Sequence, residues 1–494
     1  MSIRIHKSFL NLDQLSLIKI CCTYFEDPLA KEKEGYRKLL DKIEDPALAN
    51  VKKFATMAFF GKMDDLMIKY LGRKISQRNL QMGDAREPLK FYIYDKRTEE
   101  FVLPYTFGRL LVNKNMNNNP NGYTLRPYKF TGTLRDHQIE PVKIFTEQLN
   151  TFNTTTVGMY PGAGKTIMAA FLGSQYGLLT CILVNRVIQI KQWENTFNEY
   201  TDATVWTVGT NGGTGTGASA QPGNFQVIIC MDERFNKIPP EVRKDVGMLI
   251  IDEAHLFCVR SKLACWLSFQ PKYLVLETAT LKRPEDAMER VAYAAAGMWG
   301  HFVKSSKEFL VHPVVTTIKP HRSSNVRGQT DFNALLNYVL MNETRDNIIL
   351  KICQLRKDNK ILILTTRTEH VERVQGVLNG SNISCSTLYG NKKTYDDANI
   401  LIGTTSKIGT AFDEASFSSG FNGKRLEVMI LCCTIKKFTT LEQNIGRVMR
   451  SVSPEVYVLI DNDPIFKSHW YLMKWWLQEF TRCQIKPLIS GDTI

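Results

Sequence analysis

The stretch "VGMYPGAGKTIM", Val157 to Met168, sets glycines, a lysine and a hydroxyl in the order that polyphosphate binding requires. In such a loop backbone N–H groups curl round a phosphate, an ammonium neutralises charge and a hydroxyl reaches magnesium. Gly162, Ala163, Gly164, Lys165 and Thr166 supply those parts. The strict pattern asks for glycine where Met159 stands, and Gly158 falls one place early. The setting is nonetheless the one the motif needs: a strand-like run, "TTTVGMY", leads in, and a helical stretch, "KTIMAAFLG", leads out.

A magnesium ion on Thr166 needs a carboxylate at the end of a neighbouring strand, and "GMLIIDEAH" provides Asp252 after an apolar run. Glu253 beside it is placed to orient an attacking water. Later, "QNIGRVMR" sets Gln443, Arg447 and Arg450 at helical spacing, on one face, with Gly446 among them. A guanidinium aimed at the terminal phosphate stabilises the charge that develops in transfer, and Arg450 is the first candidate, with Arg447 assisting. The plain alternatives are a helix cap at Asp252 to His255 and a solvated basic helix at Arg447.

These residues need a frame to hold them. From Leu134 apolar runs alternate with helical stretches: "TTTVGMY", "TCILV", "FQVIICM", "GMLIIDEA" and "YLVLETA". The rhythm restarts in "KILILTT", "ISCSTLY", "NILIGTT", "LEVMILCC" and "EVYVLID". Strands apolar on both faces, separated by helices, predict parallel sheets in an α/β fold. Two such domains in tandem follow, with a small α+β segment before them. The expected division is 1–124, 125–315, 316–465 and a tail at 466–494, with a linker between Val311 and Asn333. The first segment carries helical patterns and a hairpin, "KFYIYDKRTEEFVLPYTF", and closes in the turn-rich "NKNMNNNPNGY". The Gly-rich "GTNGGTGTGASAQPG" reads as a flexible loop. In the tail, "HWYLMKWWLQEF" is helical in period; Trp470, Trp475 and Trp476 either dock on the second domain or stack on bases.

The whole chain sets outer bounds. Its 494 residues are 44% hydrophobic and 23% charged, and no apolar run reaches the roughly 18 residues that span a bilayer. The first residues mix charges among apolar positions too closely for a secretory signal, so a cytosolic or nuclear-type compartment is expected. Eleven cysteines without a CxxC pair read as reduced core thiols. A formal charge of +14 hints at a polyanionic partner.

Taken together, the phosphate loop, "DEAH" and "QNIGRVMR" resemble a superfamily 2 helicase, a class built from two RecA-like domains with ATP in the cleft between them. In that class a loop with glycine only at its fourth and sixth positions is common, which removes the objection at Met159. The resemblance implies further roles. In "LRDHQ", Gln138 matches the glutamine that reads adenine, with Tyr128 or Phe130 either stacking on the ring or packing in the core. "ILVNRVIQIKQW" matches a segment touching the nucleic-acid backbone, through Asn185, Arg186 and Gln192; Trp193 is either part of it or a core residue. "ETATL" matches the motif coupling the ATP site to the strand, through Thr278 and Thr280 with His255, although Leu281 stands where many relatives have proline. "LILTTRTEHVERV" offers Arg367 and His370 to the strand, and "LIGTTSKIGTAFD" offers Thr404, Gly409 and Thr410, with Asp413 on the ribose of ATP.

The resemblance covers Leu134 to about Asp461, and is greatest to the group holding the phage recombination helicase, the XPB helicase and the poxvirus transcript-release helicase. It implies ATP and magnesium as cofactors, and a DNA or RNA partner gripped mainly by its backbone. Viral transcription or DNA processing is the implied setting, with transcription or replication proteins as further partners and the host cytoplasm or virion as a location. Unwinding, translocation that strips proteins or releases transcripts, an ATP-switched clamp and a structural nucleic-acid protein all remain open at this point.

Overall fold

The computed structural model describes residues 2–24, 31–60, 89–112, 122–160, 162–209, 225–281, 283, 288–305, 307–324, 330–408, 412, 414–478, 480 and 482–494. The first unit takes in Met1–Met159 and Ala163–Val303, the second Tyr160–Gly162 and Lys304–Ile494. Each is built on a parallel sheet.

In chain order the first unit has β1 (Ser2–His6), α1 (Leu12–Cys21), α2 (Ala49–Phe60), β2 (Ile93–Asp95), β3 (Glu100–Pro104) and α3 (Tyr105–Val112). There follow α4 (Asp136–Phe152), β4 (Thr154–Met159), α5 (Lys165–Tyr176), β5 (Thr180–Val184), α6 (Val187–Tyr200), β6 (Val205–Val208) and β7 (Val227–Met231). Then come β8 (Met248–Ile251), β9 (Tyr273–Thr278), α7 (Arg290–Ala296) and β10 (His301–Val303). The main sheet runs β10-β4-β9-β8-β5-β7-β6, every neighbouring pair parallel. β4, β5 and β8 are buried along their whole length, as strands covered on both faces must be. The five apolar runs read in the sequence form the middle of this sheet, while β6 and β10, at its edges, are short and carried no comparable apolar signal.

One face of the sheet is covered by α4, α5 and α6. The other is covered by the N-terminal segment, whose β1-β3-β2 sheet is antiparallel and contains the expected hairpin. Ile3, Ile5, Leu103 and Phe107 share one continuous core with Cys181, Leu183, Leu249, Ile251, Leu274 and Leu276. Ser2 N–H donates to Phe269 O at 2.9 Å, and Thr106 Oγ1 to Ala295 O at 3.0 Å. The segment expected as a separate accessory domain up to residue 124 is thus a layer of the first unit. The turn-rich and Gly-rich stretches fall mainly on 113–121 and 210–224, outside the described residues.

The second unit has β11 (Phe309–Val315), α8 (Phe332–Leu340), α9 (Glu343–Leu355), β12 (Ile361–Thr365), α10 (Thr368–Gly380), β13 (Ser386–Leu388), β14 (Ile400–Thr404) and β15 (Val428–Leu431). It ends with α11 (Phe438–Val448), β16 (Glu455–Ile460), α12 (Pro464–Leu477), β17 (Cys483–Ile485) and β18 (Ile489–Ser490). Its sheet runs β13-β14-β12-β15-β16-β11-β17, with β18 also beside β11, again all parallel. β11 crosses the start of the expected linker, and it was not legible because His312 and Pro313 interrupt its apolar run. Proline cannot donate to a ladder. Pro313 falls where this costs nothing: β17 pairs Phe309 to Val311 and β18 pairs Val314 and Val315, leaving Pro313 in the gap.

The aromatic tail docks on this sheet. Asp463 caps α12 by accepting from Ile465 N–H, and Trp470 and Trp476 are buried. Beneath the strand ends Arg345 is fully buried and pairs with Asp461, while its Nη2 donates to Cys432 O at 2.6 Å. Among the described residues no helix is long and apolar enough to cross a membrane.

Candidate nucleotide site and its relay

The phosphate loop joins β4 to α5. Gly162 and Gly164 hold φ of 89° and 85°, the left-handed region that favours glycine, so the two glycines of the motif are demanded by backbone geometry. Met159 is different: it is the last residue of β4, fully buried, and has no such φ. No glycine is needed there. Gly158 serves packing, because a methyl group on it would collide with the Phe302 ring of β10. Lys165 Nζ, at the start of α5, donates to Met159 O at 3.1 Å.

Gln138, on α4, is buried against this loop. Its Nε2 donates to Ala163 O at 3.0 Å, and its Oε1 accepts from Arg135 N–H at 2.8 Å. The amide therefore braces the loop from behind. Tyr128 and Phe130 are engaged with other rings, Tyr128 edge-on to Phe197 and Phe130 stacked with Tyr200.

Asp252 follows β8, which β9 separates from β4, the strand that launches the phosphate loop. Its Oδ2 accepts from Trp193 Nε1 at 3.0 Å and from Gln189 Nε2 at 3.1 Å. Gln189 Oε1 accepts in turn from Asn185 N–H at 3.1 Å and Arg186 N–H at 2.9 Å. Burial, and then the charge of Glu253, push the Asp252 carboxyl up to about 6, against the pull of the Trp193 bond and of Lys165. Both recorded bonds fall on one oxygen. The carboxylate and the Thr166 hydroxyl are the hard oxygen donors that magnesium takes, so the residues present fit that ion.

Glu253 stands at φ 49° and ψ 51°, a left-handed backbone that a non-glycine residue rarely adopts. Its Oε2 lies 3.4 Å from His255 Nδ1. His255 Nδ1 is 2.9 Å from Thr278 Oγ1, which donates to Thr280 O at 2.6 Å; Nδ1–H is therefore the donor to Thr278. Glu253, His255, Thr278 and Thr280 thus form one chain of contacts from the end of β8 to the end of β9. All three expected coupling residues belong to it.

In the second unit Gln443 and Arg447 lie on α11, and Arg447 Nη1 donates to Phe412 O at 2.6 Å. The helix ends at Val448, so Arg450 stands in the turn beyond it and not on the shared helical face. Arg367 precedes α10 and donates from Nη2 to Asn333 Oδ1 at 2.7 Å. Two strand-binding expectations need correction. His370 is fully buried on Thr365 Oγ1 at 2.8 Å, and Thr404 is buried at the end of β14, so neither reaches the surface. Thr410 and Asp413, with Gly409, lie outside the described residues. In the first unit Arg186 is exposed and Asn185 and Gln192 are half-buried at the head of α6.

Residues 131–283 match the family described as type III restriction enzyme, res subunit. Protein 161L of Invertebrate iridescent virus 6, which carries a helicase name, is 26% identical over 69% of this chain and 80% of its own length. Protein 055L of Frog virus 3, also named as a helicase, is 28% identical over 63% and 69%. The transcript termination protein A18 of Fowlpox virus is 20% identical over 62% and 70%. The chain is a superfamily 2 helicase of the viral and phage kind. Among solved structures, S. cerevisiae Dbp5 bound to RNA and ADP BeF3 overlays with a TM-score of 0.48 at 13% identity, over 71% of this chain and 90% of that one.

Some residues of the helicase site escaped sequence reading. Gln189 is one turn before Trp193 and shares its face, a spacing that signals a common partner. Glu277, on β9, is fully buried, with no hydrogen-bond partner for either oxygen among the described residues. Burial, and then the charge of Asp252, push its carboxyl well above the usual range. A carboxylate inside an apolar strand run was the signal available for it.

Proposed function

We propose that this helicase hydrolyses ATP and couples each turnover to movement along a nucleic-acid strand, with or without separating a duplex. One observation carries the reading: the contact chain from Glu253 through His255 to Thr278. Hydrolysis alone needs Lys165, Asp252 and Glu253. A path of contacts from the water-orienting carboxylate to the next strand end is what a motor needs in order to transmit the state of its nucleotide. The helicase names of the iridovirus relatives and the transcript termination name of the poxvirus one support a role in viral transcription or DNA processing.

In this reading Lys165 neutralises phosphate charge, Gln138 braces the loop and takes part in adenine recognition, and Glu253 orients the attacking water. Thr166 and Asp252 would hold magnesium, which supplies Lewis-acid stabilisation of the phosphoryl oxygens. Gln443, Arg447 and Arg450 are the candidates for stabilising charge on the transferred group. Asn185, Arg186, Gln192 and Arg367 are the candidates for the strand backbone, which implies weak sequence preference and strong salt dependence.

The test is the affinity for a labelled single strand without nucleotide, with ADP, and with a non-hydrolysable ATP analogue. A motor must change its grip, so the three affinities should differ severalfold. Equal affinities in all three states would contradict the reading.

A further inference from the structure

Strand β9 lies between β8 and β4, so it borders both the strand that ends in Asp252 and the strand that launches the phosphate loop. Its register fixes where Glu277 stands. On one side Leu276 pairs with Ile251, so the next residues, Glu277 and Asp252, stand side by side. On the other side Glu277 pairs with Val157, two residues before Met159, whose carbonyl accepts from Lys165.

Side chains alternate along a strand. Leu274 and Leu276 belong to the core shared with the N-terminal layer, as do Leu249 and Ile251, so Glu277 and Asp252 both turn to the opposite face. That is the face where α5 packs on β9, and from which Trp193 and Gln189 of α6 reach Asp252. Glu277 is fully buried there, and neither of its oxygens has a hydrogen-bond partner among the described residues. A carboxyl taken out of water without a partner costs stability, and a group of this kind calls for an explanation in function.

Magnesium chemistry offers one. The ion keeps several of its waters when it binds between phosphates and one or two protein ligands. A coordinated water turns its hydrogens outward and needs acceptors for them. Glu277 is a buried acceptor with both oxygens open, beside the candidate ligand Asp252 and beneath the loop that Lys165 closes.

We infer that Glu277 is a positioning residue of the ATP site, accepting hydrogen bonds from the waters of a magnesium ion held by Thr166 and Asp252. The inference rests on the proposed ATP hydrolysis. It gives Glu277 two opposed effects. In the loaded site it orients the ion without binding it directly, and in the nucleotide-free chain it burdens the fold. An uncharged side chain of similar volume should therefore leave the nucleotide-free chain as stable or more so, as replacement of buried charges often does.

The experiment uses the full chain and a non-hydrolysable ATP analogue. Its affinity is measured with magnesium and with a chelator for wild type, Glu277→Gln and Glu277→Leu, beside melting temperatures without nucleotide. The gain in affinity that magnesium brings should shrink severalfold in both variants, since loss of a residue that holds a metal's ligands costs about tenfold or more in affinity. Affinity in chelator should not fall, because a carboxylate near phosphates repels them. At least one variant should melt no lower than wild type. A magnesium gain equal to wild type in both variants would overturn the inference. An equal loss with and without magnesium would overturn it too, by making Glu277 a prop for the pocket, as would lower melting in both variants. A wild-type chain that binds the analogue no better with magnesium would instead overturn the proposed ATP site itself.

Discussion

Trp193 Nε1 donates to Asp252 Oδ2 at 3.0 Å, so the helix that follows Asn185 and Arg186 also orients the candidate magnesium ligand. Gln189 reinforces the link one turn earlier, donating to the same oxygen while its carbonyl caps the head of the helix. Protons and metal compete for Asp252, which burial and the Glu253 charge push up to about 6. The magnesium affinity of the site should therefore weaken as pH falls through about 6. Trp193→Phe keeps the ring and removes the donor that holds this carboxyl down, so the acid limb should move to higher pH. Magnesium titrations of ATP hydrolysis across that range read the shift, and a limb at the same or lower pH would contradict it.

The bond between His255 and Thr278 is the narrowest point of the relay. Thr278→Val is nearly isosteric and removes both the bond to His255 and the one to Thr280 O. The ratio of strand-stimulated to strand-free hydrolysis should fall several-fold. A ratio equal to wild type would remove the relay from the mechanism.

Gly158 tests the opening motif. Gly158→Ala drives a methyl group into the Phe302 ring and should cost about 1–2 kcal/mol, since overpacking of this kind usually costs that much. Adding Phe302→Ala should return part of the loss, because the two sites touch. Chemical denaturation measures both. If Gly158 served the phosphates instead, the double variant would bind nucleotide poorly while being stable.

His370 gives the second unit an acid sensitivity. Burial, then Arg345 and Arg373, push its imidazole down to about 3, so the folded chain keeps it neutral while the unfolded chain protonates it near 6.5. Its contribution to stability is complete above about 6.5 and is lost as pH falls toward about 3, by up to about 1.4 kcal/mol per pH unit. His370→Gln removes that titration. The difference in melting temperature between wild type and variant should change across this window, and a constant difference would contradict the assignment.

The central strands were legible because full burial demands continuous apolar runs, and "TCILV" or "KILILTT" admit little else. Strand β11 was hidden by His312 and Pro313, and the N-terminal layer by the fact that an amphipathic segment does not say which core it joins. At the site, motif spacing located the strand ends but not the direction of each side chain. Successive residues of a strand face opposite ways. Thr404 turns inward while Thr405 lines a cavity of the second unit, and His370 points into the core from a helix whose preceding residue, Arg367, faces outward. Gln189 and Glu277 were missed because a polar residue at a helix start or in a strand reads as surface until its neighbours are known.

The most direct test of the motor is the rate of ATP hydrolysis with no nucleic acid, single-stranded DNA, duplex DNA, RNA and a DNA–RNA hybrid, each beside Glu253→Gln. The structure holds Glu253 in an unusual backbone between Asp252 and His255, as a water-orienting carboxylate tied to the relay would be. At least one nucleic acid should stimulate hydrolysis, and the stimulation should vanish in the variant. Hydrolysis that no nucleic acid changes, or stimulation that survives in Glu253→Gln, would contradict it.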